Sequence, residues 1–180
     1  SHESLIEQLQ FTGEETATAG QTKPYRLNMN HPCKAFYFKA EPTSGITAKG
    51  DPFWSGKEEL KNDDLTKTDE STLNPIKSVK LQLNGHERFA ERPGSYFTKV
   101  QPFQHHTRMP MFSYTGVYSF AISPEEHQPS GALNMSRIDT GTLQIAVKNS
   151  GASAYKLFVY AVNYNVLRIL SGMGGLAFSN

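Results

Sequence analysis

The stretch that most limits the fold is "AYKLFVYAVNYNVLRIL", Ala154 to Leu170. It is rich in β-branched and aromatic residues, the composition of a strand. Successive side chains of a strand point to opposite faces. Tyr155, Leu157, Val159 and Ala161 share one parity; Phe158, Tyr160, Val162 and Tyr164 share the other. A strand that is apolar on both faces is covered on both sides. One side is the core of its own sandwich, and the other needs a neighbouring domain or subunit.

The clearest local signal is "SVKLQLNGHERFA", Ser78 to Ala90. Val79, Leu81 and Leu83 alternate with Lys80 and Gln82, which sends one face to the core and one to water. Asn84-Gly85 then supplies the positive φ of a tight hairpin turn, and Phe89 returns on the second strand. "AFYFK" is a compact aromatic strand, entered through His31-Pro32, which marks an edge or a bulge. "MFSYTGVYSFAIS" is strand-like with Gly116 as a bulge, "TLQIAV" is another strand, "SGMGG" is a turn, and "LAFS" is a last strand. "RPGSYFTKVQPFQ" holds a short helical turn before Pro102. This makes seven or eight strands, no long helix and no internal repeat, which predicts an all-β antiparallel sandwich. The 11 Phe, 8 Tyr, 14 Gly and 10 Pro agree with aromatic strands separated by many turns.

"SLIEQLQF" reads as strand or helix, and Thr12 to Pro24 reads as a linker. Residues 1–25 are therefore expected to be an N-terminal arm and linker, and residues 26–180 the main domain. The polar stretch 41–77 is expected to be a long loop. Phe53 and Trp54 should pin its middle, because such rings seek burial. The chain lacks an initiator Met and begins in mid-pattern, as expected of a piece of something longer.

Several chemistries fit poorly. The net charge is +1, so no large field steers nucleic acid. Cys33 is the only cysteine; no internal disulfide is possible, and a buried small apolar role is expected for it. No apolar run reaches the length of a membrane helix, and no signal peptide is visible. His105 and His106 are adjacent, so on a strand they diverge rather than share a metal. Ser130 lacks a nucleophile elbow, and "GMGG" lacks the end of a phosphate loop. No metal, cofactor or catalytic residue is expected. Asn134-Met135-Ser136 fits the N-glycosylation pattern, but a chain without a secretion signal does not normally meet the enzyme.

The residues that could still carry chemistry lie in "PEEHQPSGALNMSRID", Pro124 to Asp139. Glu125 and Glu126 after Pro124 suit capping of backbone N–H groups in a turn. Arg137 and Asp139 are expected to pair and fix a corner.

That stretch closely resembles a signature of the major capsid proteins of the nucleocytoplasmic large DNA viruses. "LIEQLQ", "LNMNHPCKAFYF", "LNGHERFAERPGSYF", "VQPFQHHTRMP" and "YAVNYNVLRILSGMGGLAFSN" agree in order. The matches span nearly the whole chain apart from the loop. The resemblance implies a jelly roll, specifically the second of two in a double jelly-roll protein, with "LIEQLQ" at the end of the first. It implies a structural role in trimeric pseudo-hexagonal capsomers of an icosahedral virion, assembled in the host cytoplasm. The implied partners are two further copies of the chain, neighbouring capsomers and minor capsid proteins, with no direct nucleic acid; the shell could overlie an internal membrane. Glu125, Glu126, His127, Gln128, Arg137 and Asp139 become interface or structural residues. The alternative is a jelly-roll module that binds carbohydrate or a receptor, with Phe53 and Trp54 stacking on a sugar face.

Overall fold

The structure is a computed structural model and describes residues 1–43, 74–109, 115–149 and 152–179. Among the described residues there are eleven strands: β1 His2–Phe11, β2 Glu15–Thr18, β3 Thr22–Arg26, β4 Pro32–Pro42, β5 Ile76–Leu83, β6 His86–Pro93, β7 Gly116–Ser119, β8 Leu133–Asn134, β9 Gly141–Val147, β10 Ala154–Leu170 and β11 Met173–Leu176. A π-helical turn, Tyr96–Val100, leads into a short helix α1, Gln101–His105. The helical segment runs through Pro102 rather than ending before it. Pro102 sits in the first turn of α1, where its missing N–H costs nothing.

The strands form two antiparallel sheets. One runs β1-β10-β4-β7, with β2 and β11 also on β10 and β8 on β4; the other runs β3-β9-β5-β6. β2 continues the line of β1 along β10, since Phe11 faces Tyr160 and Glu15 faces Leu157. Taking β1 and β2 as one, and setting aside the short β8 and β11, eight strands remain. Their pairings are then first with eighth, second with seventh, third with sixth and fourth with fifth. That is one long antiparallel ribbon closed by the β5–β6 hairpin and folded over on itself, which is the jelly roll.

Two parts of the sequence reading need correction. His2–Phe11 is a full sheet strand rather than a detached arm. Thr12–Pro24 holds β2 and most of β3 rather than a linker. Pro24 is tolerated because β3 is an edge strand. At the other end, the turn is Ser171-Gly172 alone; Gly174 and Gly175 belong to β11, and Phe178 lies past it.

The core lies between the sheets. Tyr155, Leu157, Val159 and Ala161 of β10 are at most 1% exposed, and they meet Val79, Leu81, Leu143 and Ile145 of the facing sheet within one cluster. Each fully buried Leu or Ile contributes roughly 2–3 kcal/mol against exposure. Phe97 of the π-helical turn closes one end, with ring contacts to Phe38, Phe89, Tyr96 and Tyr118. The β5–β6 hairpin turns on Asn84 (φ 50°) and Gly85 (φ 79°), as its dipeptide requires. Gly116 starts β7 without a bulge. Its lack of a side chain serves close approach, because a Cβ there would lie 2.4 Å from the Phe38 ring.

Candidate assembly surface

The odd-numbered residues of β10 from Tyr155 to Ala161 close the core. Its even-numbered residues, from Phe158 to Tyr164, face outward with Leu5, Glu7, Leu9 and Phe11 of β1 and Tyr37 and Lys39 of β4, as the register dictates. Phe11 stacks on Tyr160 at 4.6 Å and on Phe158 at 6.1 Å, both at 20° between planes. Lys39 Nζ lies 5.1 Å from the Phe158 ring and pairs with Glu41. Leu9 is 65% exposed and Phe11 44%. Phe158, Tyr160 and Val162 are half-buried. The second apolar face of β10 is therefore present and only partly covered among the described residues.

One end of this face carries a feature that the sequence did not announce. Lys34, on β4, is fully buried. Its ammonium donates to Glu7 Oε1 at 2.5 Å and to the Glu126 carbonyl at 2.9 Å, and it lies 5.1 Å from the Tyr164 ring. A buried charge is tolerable only when paired and hydrogen-bonded, and three partners from three parts of the chain supply that here. A lysine in an aromatic strand reads as a surface residue. The pairing register shifts between Val162 and Asn163, across from Cys33 and Ala35, which breaks the simple alternation around Lys34.

The corner Pro124–Asp139 sits over this cation. Glu125 accepts from the Thr107 N–H at 2.9 Å, as a capping carboxylate should, and the bonds from Thr107 hold its carboxyl below the usual range. Glu126 uses its backbone carbonyl on Lys34. His127 Nδ1 is 4.0 Å from Glu7 Oε1, and Gln128 is exposed. Ser130 Oγ accepts from the Ser123 N–H at 3.0 Å, which is a turn bond rather than nucleophile activation. Asn134 accepts from the Ser136 N–H, and Ser136 Oγ accepts from the His31 N–H, so both polar residues of the glycosylation pattern brace a 3-10 turn. Arg137 and Asp139 form no ion pair among the described residues. The corner is tied instead by Asn84 Oδ1, which accepts from the N–H groups of Asp139 at 2.9 Å and Thr140 at 3.1 Å.

The two adjacent histidines turn to different partners. His105 Nδ1 donates to the Ile122 carbonyl, and His106 Nε2 bonds the Tyr37 hydroxyl, each at 2.9 Å. Burial pushes His106 below its ordinary pKa and raises Tyr37. Cys33 is fully buried, and burial lifts its thiol to about 12, which makes it inert at neutral pH. Among the described residues no three His, Cys, Asp or Glu are placed to hold a metal, and no helix is long and apolar enough to cross a membrane. Phe53, Trp54 and most of the long loop lie outside the described residues.

The fold is an antiparallel jelly roll whose second face carries a partly exposed apolar surface. Residues 1–175 match the family described as large eukaryotic DNA virus major capsid protein, and the chain belongs to it. The chain is 44% identical to the major capsid protein of Pyramimonas orientalis virus, over all of this chain and 44% of that protein. It is 40% identical to that of Paramecium bursaria Chlorella virus 1, over 99% of this chain and 49% of that protein. The structure superposes on a quasi-atomic structure of the PBCV-1 virus capsid with a TM-score of 0.76 and 36% identity, over 99% of this chain and 52% of that one. The Faustovirus major capsid protein shares the fold, with a TM-score of 0.70 at 13% identity, over 93% of this chain and 34% of that one. The family consists of structural capsid proteins rather than enzymes. The chain spans about half the length of the curated relatives it matches.

Proposed function

We propose that this chain is a building block of the outer shell of a large icosahedral DNA virus. In this reading it is the second jelly roll of a double jelly-roll capsid protein, and three copies of the whole protein make a pseudo-hexagonal capsomer in the host cytoplasm. Neighbouring capsomers and minor capsid proteins are its further partners.

The observation that carries the reading is the outer face of β10. Leu9, Phe11, Phe158, Tyr160 and Val162 make a coherent aromatic and aliphatic surface that is only half covered among the described residues. A coherent exposed apolar surface of this kind marks a contact surface. Its occupant is another jelly-roll module, consistent with relatives that are about twice as long. Arg137, Glu126, His127 and Gln128 are exposed, the Glu126 carbonyl accepts from the buried Lys34 and His127 lies near its partner Glu7, and these four residues are assigned to its polar rim. Glu125 and Asp139 hold the corner itself.

The test is native mass spectrometry of the protein expressed at its full gene-encoded length. A three-chain species, reduced in Arg137→Ala, is the expected result; a stable monomer at micromolar concentration would refute the reading.

A further inference from the structure

Beyond Asn165 the two faces of β10 lose their difference. Val166 and Leu167 are half-buried, and Arg168, Ile169 and Leu170 are exposed, whichever way they point. β1 pairs with this segment from His2 opposite Ile169 to Leu5 opposite Val166, and β11 from Leu176 opposite Leu167 to Met173 opposite Leu170. The result is a short three-stranded ribbon. Register places Leu167, Ile169 and Leu176 on one face, and Leu5, Val166, Leu170 and Met173 on the other. None of these residues joins the core cluster. Ile169, Leu170, Met173 and Leu176 are 41–75% exposed, and Phe178, just past the ribbon, is 59% exposed.

Two observations bear on what covers the ribbon. Arg168 and Glu3 pair with each other at 2.8 Å, so the ribbon holds no unpaired Lys or Arg of the kind that anionic lipid or nucleic acid recruits. Both ends of the described chain also lie here. Ser1 adjoins His2. At the other end the Ala177 N–H donates to the Val166 carbonyl, and the Phe178 carbonyl accepts from Asn165 Nδ2, each at 2.8 Å. In a protein twice this length, the added polypeptide leaves the sandwich at the ribbon, from whichever end it continues. A module tethered beside an apolar surface meets it at an effective concentration on the order of millimolar, ahead of any separate chain.

We infer that this ribbon of β1, β10 and β11 is the seat of the other module of the same polypeptide, a contact made within one chain before chains associate. The inference rests on the double jelly-roll reading and adds a division of labour to it. The ribbon holds the two modules of one chain together, and the outer face around Leu9, Phe11, Phe158 and Tyr160 is left to other chains. Apolar side chains on both faces of the ribbon suit burial from both sides rather than adhesion by one. Gly175 leaves the backbone bare between them: among the described residues no atom lies within 4 Å of a Cβ placed there, which lets a partner approach closely.

The experiment is hydroxyl-radical footprinting of the full-length protein as single chains, obtained by dilution or through Phe158→Asp, which the capsomer reading expects to stop association. The methionines report the contact. Met173 is 75% exposed and Met109 42%, whereas Met29 is buried at 4%. A thioether oxidises according to its exposure, so an uncovered ribbon labels Met173 faster than Met109. The contact inverts that order: Met173 is expected to label about tenfold more slowly than Met109, close to the rate of Met29. Leu176→Asp sets a charge in the contact and should return Met173 to at least the Met109 rate while Met29 stays unreactive; the wild-type order carries the test if that variant unfolds. Met173 labelling as fast as Met109 in wild-type single chains would overturn the inference and leave the capsomer reading intact, whether another chain or lipid then covers the ribbon. Protection that a folded Leu176→Asp variant does not relieve would overturn it as well. A protein that never associates, with Met173 protected, would remove the capsomer reading and leave the ribbon contact standing. A gene-encoded protein no longer than this chain would overturn both.

Discussion

The two faces of β10 use the same alphabet and meet different fates. On one, Tyr155, Leu157, Val159 and Ala161 are sealed by the opposing sheet; on the other, Phe158, Tyr160 and Val162 stay half-covered beside the exposed Leu9 and Phe11. Alternation alone cannot distinguish them. What separates them is that, among the described residues, a second sheet packs on one face, whereas the other has beside it only side chains of the neighbouring strands β1 and β4 and, at one end, the corner. The inner face holds the fold together, and the outer face is stocked for a contact.

That contrast can be broken most decisively by truncation. Leu157→Ala should cost about 3 kcal/mol in a urea unfolding titration, the usual result for a closed core site. Phe158→Ala, one residue along, should cost about 1 kcal/mol or less, because water already reaches its ring. Equal losses would mean that the outer face is also core. Gly116→Ala should come next, at about 2 kcal/mol, since the added methyl must displace the Phe38 ring or the β7 backbone; a neutral result would show that β7 packs more loosely than described.

The buried cation sharpens the comparison at the polar end of the same face. Glu7→Gln removes the counter-ion of the buried Lys34. Because Glu7 is itself about a third exposed, the loss should be discounted to about 2 kcal/mol. Lys34→Met should cost less, because the stranded Glu7 carboxylate can hydrate whereas a stranded Lys34 cannot. The opposite ranking in unfolding titrations would contradict this account of the pair.

The smallest effect concerns pH. Burial places the folded His106 pKa below its ordinary 6.5, so the unfolded chain binds more protons as the solution acidifies. The contribution is present above about pH 6.5 and is lost as pH falls toward the folded value. After screening it should amount to about half a kcal/mol or less. Unfolding midpoints measured at about pH 7.5 and about pH 5.5 should show that loss in the wild type and a flatter profile in His106→Asn.

Much of the fold is legible in the chain because local and long-range signals agree. Asn84-Gly85 marks its hairpin turn locally, and the apolar residues on both parities of β10 announce a strand covered on both sides. β2 and β3 escape such reading. "ETAT" is small and polar and "TKPYR" is broken by a proline between two basic residues, and they are strands because β10 and β9 offer ladders to pair with, which is tertiary context rather than propensity. The surface is harder still. Lys34 draws its partners from 27 and 92 residues away. Nothing in the spacing of "HPCKAF" encodes either. The corner's capping glutamate was visible as turn chemistry, whereas its true tie, Asn84, belongs to a hairpin that adjacency in sequence would never connect to Asp139.

The central claim is that the outer face of β10 becomes interior in the assembled shell. Hydroxyl-radical footprinting of full-length protein, dissociated and assembled, reads this directly at Leu9, Phe11, Phe158 and Tyr160. Strong protection of these four on assembly, with Leu157 unreactive in both states, is the predicted result. Equal labelling of Leu9 and Phe11 in both states would contradict the account.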